Sequence, residues 1–181
     1  MRIAVNLRQY FQGKIGGMEN YVRNILAGLA GHSLTIWVHT SEVAHVRAFV
    51  PGAEIVGISH ETGEATIARA LRSGQFDLFF CPLLVLEPLV SPVPSAVMMP
   101  DVQHHFFPEF FDDDILNWRR RTYGPSARNA DIVFTLSEHA KSTIVESFGI
   151  HPDKVVPVHL DVDPEFRLPI PHSPSPAFAA L

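Results

Sequence analysis

Three short stretches of the 181-residue chain hold residue types at spacings that could do chemistry. The first is Gly13-Lys14-Ile15-Gly16-Gly17-Met18-Glu19. Its glycine pair, Gly16 and Gly17, stands immediately before an amphipathic run. Backbone N–H groups at a helix N-terminus attract an anion, and missing side chains let a phosphate come close. The spacing fits neither a P-loop nor G-x-G-x-x-G, and a turn that needs glycine for its backbone angles is the alternative. The second stretch runs from Pro100 to Phe111 and sets Asp101 and His104 among aromatic residues. Three residues apart in a turn, they can face one substrate. A metal would need a third ligand such as Asp112, but no H-E-x-x-H helix supports that set, and no metal is expected. The third is Thr135-Leu136-Ser137-Glu138, where a strand pattern runs straight into a helix pattern. Ser137 there either caps the helix or touches a ligand. Without a G-x-S-x-G elbow or a triad, nucleophilic hydrolysis is not expected.

Two other features bear on chemistry. Arg119-Arg120-Arg121, flanked by Trp118 and Tyr123, is the basic cluster of the chain. It reads either as a solvated helix face or as a contact for a diphosphate or an anionic lipid surface. The single cysteine, Cys81, stands before Pro82 and reads as a small buried hydrophobe; one cysteine excludes an intrachain disulfide and suits a reducing compartment. Fourteen basic against nineteen acidic residues leave a formal charge of −5, which argues against nucleic acid as a partner.

The elements that must position these residues alternate in type. Near-continuous apolar runs at 2–7, 34–38, 54–58, 77–80, 96–99, 131–135 and 154–158 predict strands buried on both faces. Met18, Tyr21, Val22, Ile25, Leu26 and Leu29 recur at helical spacing with polar residues opposite, and 62–72, 110–127 and 137–148 predict three further helices. Ser137 suits the start of the last and Gly149 its end. The apolar stretch 76–100 matches a bilayer in length, but its five prolines break any continuous helix, so two strands joined by a Pro-rich loop are expected. The fold class is therefore α/β, a Rossmann-like, doubly wound and mostly parallel sheet of about seven strands. That domain is expected over residues 1–166. From Leu168 to Leu181 there is no charged residue, and prolines at 169, 171, 174 and 176 read as an extended linker or tail over 167–181.

Together the segments resemble the N-terminal half of a family-4, GT-B-fold retaining glycosyltransferase. The residues that carry the resemblance are Gly16-Gly17-Met18-Glu19, Asp101-Val102-Gln103-His104 with Phe107-Pro108-Glu109-Phe110-Phe111, and Ala130 through Glu138 with Phe148-Gly149-Ile150, Lys154-Val155 and Val162-Asp163. The chain departs from the pattern at Pro100, where many relatives carry histidine, and at Leu160-Asp161, where Asn-Gly is usual. A Glu-x7-Glu spacing, the family's donor signature, occurs at Glu138 and Glu146, but in the wrong half and without its glycine-rich context. On a helix the two stand about 80° apart, at 100° per residue, and the match reads as coincidence.

The resemblance implies two Rossmann-like domains with a cleft between them, of which this chain is the acceptor-side one and the C-terminal donor-binding domain is missing. It implies transfer of a sugar from a nucleotide-sugar donor to a glycan or lipid-linked acceptor with retention. Gly16 and Gly17 would lie near the donor diphosphate, with Ser137 on the same rim, and Asp101 and His104 would face sugar and acceptor. No cofactor is implied beyond the nucleotide sugar as co-substrate. The isolated chain is expected to be inactive and, through exposed Phe106 and Phe107, to self-associate. A cytoplasmic location, with peripheral contact at the inner membrane face, is expected. The alternatives are a non-catalytic carbohydrate- or partner-binding module with the same fold and an unrelated nucleotide-binding protein using the same crevice.

Overall fold

The computed structural model describes residues 1–160. Seven strands form one parallel sheet in the order β3-β2-β1-β4-β5-β6-β7. They are β1 (Arg2–Leu7), β2 (Ser33–His39), β3 (Glu54–Ile58), β4 (Leu78–Cys81), β5 (Ser95–Met98), β6 (Ile132–Thr135) and β7 (Val155–Pro157). The α/β class and the Rossmann-like layout expected from the apolar runs are what the chain adopts. Strand β1 pairs with β2 from Arg2–Ser33 to Leu7–Val38 and with β4 from Ile3–Leu78 to Val5–Phe80. It is the centre of the winding: β2 and β3 are added on one side, β4 to β7 on the other.

Helices α1 (Met18–Gly28), α2 (Val43–Phe49), α3 (Gly63–Leu71), α4 (Gln103–Phe106), α5 (Asp113–Asn129) and α6 (Glu138–Phe148) fill the connections. Because side chains alternate along a strand, each strand feeds two cores. Ile3, Val5, Leu7, Ile36 and Val38 pack with Val22 and Leu26 of α1 and Val46 of α2. Ala4, Trp37, Phe79 and Val97 pack on the other face with Ile67 and Leu71 of α3, Tyr123 and Ala127 of α5 and Ile144 and Phe148 of α6. Burying each large apolar side chain stabilises the sheet by about 1.5–3 kcal/mol. Cys81 lies in the second core, and burial pushes its thiol up to about 12. It is therefore protonated at neutral pH and behaves as a hydrophobe.

Helix α6 starts and stops where its cap residues stand. The Ser137 hydroxyl accepts a hydrogen bond from Ala140 N at 3.1 Å, and Gly149 takes the left-handed conformation at φ 62°. Elsewhere the boundaries differ from expectation. Helix α5 begins at Asp113 rather than at 110, because Pro108–Phe110 forms a separate 3-10 turn and Asp112 is extended. Helices α2 and α4 were not expected; α4 is built on the Asp101 carboxylate, which accepts a hydrogen bond from Gln103 N at 2.9 Å. Among the described residues no helix is long and apolar enough to cross a membrane. The Pro-rich stretch at 167–181, and Val162-Asp163, lie outside the described residues.

Candidate functional site

In a parallel sheet, loops that follow strands all leave at the carboxyl rim, and a crevice opens where the strand order reverses. Here that point lies between β1 and β4. A cleft of about 420 Å³ occupies it. The loop after β1 supplies Gln9, Lys14, Ile15 and Met18, and the segment after β4 supplies Leu83 and Leu84. Pro100, Asp101 and Gln103 follow β5, and Trp118, Arg119 and Tyr123 come from α5.

The β1 loop is held by two carboxylates, the first being that of Glu42, which accepts a hydrogen bond from Gln12 N at 3.2 Å. Glu19, on the first turn of α1, accepts a hydrogen bond from Gly13 N at 2.9 Å, and that bond chiefly holds its carboxyl below the usual range. Its other oxygen stands 3.3 Å from Arg23 and 3.6 Å from His45 Nε2. Tyr10, fully buried, contacts the same imidazole at 3.0 Å. Gly16 has φ +56°, a region other residues rarely adopt. Gly17 is different: its backbone is right-handed, and a Cβ there would meet open space. Neither local conformation nor packing among the described residues requires a glycine at 17.

The segment after β4 crosses beneath the cleft. Asn6 Nδ2 donates to the Glu87 carbonyl at 2.7 Å while its Oδ1 accepts from Arg8 N at 2.9 Å, and Arg8 Nη1 pairs with Glu87 Oε2 at 2.6 Å. Leu84 within that segment has φ 63°, the left-handed region, and its N–H donates to the Met98 carbonyl at 2.9 Å.

The residues singled out from the sequence fall at different depths. Asp101 is exposed and lines the cleft. Gly16 and Gly17 lie between its lining residues Ile15 and Met18. His104 lies underneath, only 3% exposed, its ring edge-on to Tyr123 at 5.1 Å and to His105 at 4.5 Å. Neither ring nitrogen has a hydrogen-bond partner among the described residues, and burial, helped by His105 and Arg119, pulls its pKa down to about 4. At neutral pH it is an uncharged packing group. Ser137 follows β6, one strand beyond β5, on the same rim but outside the cleft lining. Its visible role is the cap, so Ser137→Ala is expected to lower stability by about 1 kcal/mol, read as a shift of the urea midpoint. An unchanged midpoint would deny the cap its weight.

Two lining cations, Lys14 and Arg119, were not picked out individually. The Arg119 guanidinium stands over the Phe111 ring, 4.2 Å from its centroid, and 5.5 Å from the Tyr123 centroid. The signal was available: Arg119 and Tyr123 are four apart and share a helix face.

No protein-family model and no curated protein sequence matches the chain. In three dimensions it is similar to HepE of Anabaena, solved in complex with UDP-glucose, with a TM-score of 0.61 and 14% identity over 90% of this chain and 44% of that one. The same protein in complex with UDP and glucose gives 0.59 and 15%, over 90% and 45%. WaaB, a lipopolysaccharide outer core galactosyltransferase in its apo form, gives 0.60 and 12%, over 90% and 46%. A glycosyltransferase from Rickettsia africae gives 0.55 and 12%, over 99% and 48%. The likeness is one of fold. The chain spans about half the length of each of these structures.

Proposed function

We propose that this chain is the acceptor-side domain of a family-4, GT-B glycosyltransferase that moves a sugar from a nucleotide-sugar donor to a glycan or lipid-linked acceptor. A second domain, outside this chain, would grip the donor. The observation that carries the reading is the cleft at the point of strand reversal, bounded by the glycine loop on one side and Asp101 and Arg119 on the other. Support comes from the fold shared with half of several glycosyltransferases and from the HepE complex with UDP-glucose.

In this reading Gly17 is bare because a diphosphate passes close to its backbone at the start of α1. The bond from the anomeric carbon to the phosphate oxygen breaks, and the acceptor oxygen bonds to that carbon on the same face. The acceptor's proton passes to the departing diphosphate, so no strong protein base is needed. Asp101 orients the sugar or acceptor hydroxyls, and His104 acts from below as a positioning residue by packing against Tyr123. Lys14 and Arg119 balance negative charge in the cleft. Neither a metal nor a further cofactor enters these steps. The work is placed in the cytoplasm, at the inner membrane face when the acceptor is lipid-linked.

The test is to incubate the longest natural product of the gene with a panel of nucleotide sugars and extracted glycans, with and without EDTA. Transfer insensitive to EDTA, with the α- or β-configuration of the donor kept in the product by NMR, is the expected result. Glycan binding without transfer from any donor would overturn it in favour of a binding module.

A further inference from the structure

We propose that the acceptor taken by this cleft is an amphiphilic anion, a phosphate carried beside an apolar chain, rather than a neutral glycan. The inference rests on the acceptor-cleft reading above. Among the described residues, Arg2, Arg8 and Arg23 each pair with a carboxylate, whereas Lys14 and Arg119, like most of the other lysines and arginines, pair with none. These two unpaired cations reach one cleft from different elements, the β1 loop and α5. Arg119 is also pre-set. Its guanidinium carbon stands 4.2 Å from the Phe111 ring centroid, and its buried Nε has no acceptor among the described residues. A guanidinium held over an aromatic ring and paired with no carboxylate suits the oxygens of a phosphate.

The remaining walls are apolar. Ile15, Met18, Leu83, Leu84 and Trp118 face the same space. Leu84 holds a backbone angle of φ 63°, where glycine would be relaxed, and so carries its apolar side chain at a cost in local strain. A neutral sugar needs many matched donors and acceptors, and besides its two cations this lining offers one carboxylate, Asp101, the side-chain amides of Gln9 and Gln103, the Trp118 indole N–H and the Tyr123 hydroxyl. Two cations against that carboxylate leave the cleft positive in a chain of formal charge −5. A phosphate there could also belong to the donor, and the two sources are separable.

Octyl phosphate, octyl glucoside and UDP would be titrated into the 181-residue chain by calorimetry below their micelle concentrations. Octyl phosphate is expected to bind at least tenfold more tightly than octyl glucoside, and UDP is expected not to displace it. Lys14→Gln and Arg119→Gln should each weaken octyl phosphate at least fivefold and leave octyl glucoside unchanged. Lys14 is on an exposed loop, so its variant keeps the test alive if the Arg119 variant melts early. Equal binding of the neutral glucoside, absence of octyl phosphate binding, or indifference of both variants overturns the proposal. Displacement by UDP assigns the phosphate seat to the donor and overturns it too. None of these readings depends on sugar transfer, so failure here and failure of the transferase reading are told apart.

Discussion

Lowering the pH from about 6.5 to about 4 is expected to cost the wild-type chain roughly 3 kcal/mol of stability through His104, and His104→Leu is expected to remove that part of the slope. The ring is 3% exposed, both nitrogens lack hydrogen-bond partners among the described residues, and its pKa falls from 6.5 to about 4 chiefly through burial. In the unfolded chain the imidazole takes a proton as the pH passes 6.5; in the folded chain it resists until about 4. Between those values the unfolded state binds the extra proton, so stability is complete above the window and declines down through it. The loss levels off once the native ring is also charged. His105, lowered in the same direction by burial and by Arg120, adds to the slope. Glu19 and Asp77, held low by hydrogen bonds to Gly13 and Arg2, release their contribution only toward the acid end. Urea unfolding at pH 7, 5.5 and 4.5 on both proteins checks this. Parallel pH profiles for the two would mean that the buried ring is protonated in the native state.

Asn6→Ala is expected to destabilise the chain by about 2–4 kcal/mol, with a fall in Tm on the order of 10 °C. Asn6 is 6% exposed, in the central strand, and its amide serves two backbone groups at once. Removing it orphans the Glu87 carbonyl and the Arg8 N–H, at 2.7 and 2.9 Å in the native state. Each loss has the penalty of a buried polar group left alone. The Arg8–Glu87 pair cannot compensate, because the Arg8 side chain is already engaged with Glu87 and with the His60 carbonyl at 2.7 Å. Scanning calorimetry measures the shift; a loss below 1 kcal/mol would mean that water replaces the amide.

Much of this architecture was legible in the residues because parallel strands buried on both faces write continuous apolar runs. All seven were visible, with no edge moved by more than one position, as at β4, expected over 77–80 and found over Leu78–Cys81. Helix α2 escaped because seven residues hold too little periodicity, although Val46 alone of them is fully buried. Helix α4 escaped because four residues carry no helical period; the Asp101 carboxylate accepts from Gln103 N at its start. For the cleft, Asp101 could be placed by its position after a strand. His104 and His105 could not be ranked, since identical side chains differ in burial only through what α5 and α6 press against them, Tyr123 on one and Phe148 on the other. The meeting of Lys14 with Arg119 across more than a hundred residues left no trace in local pattern.

Apart from Ile15, Met18, Leu83, Leu84 and Tyr123, the groups that shape the crevice take no part in either core. The segments 11–17 and 103–112 hang from strands whose own side chains finish inside the two cores. Drift could therefore rewrite the exposed polar letters of this vestibule while the scaffold stayed intact, and new cargo would demand new rim residues rather than a new fold. Chimeras exchanging those segments among proteins of this shape should accordingly fold like their parents and differ in what they hold.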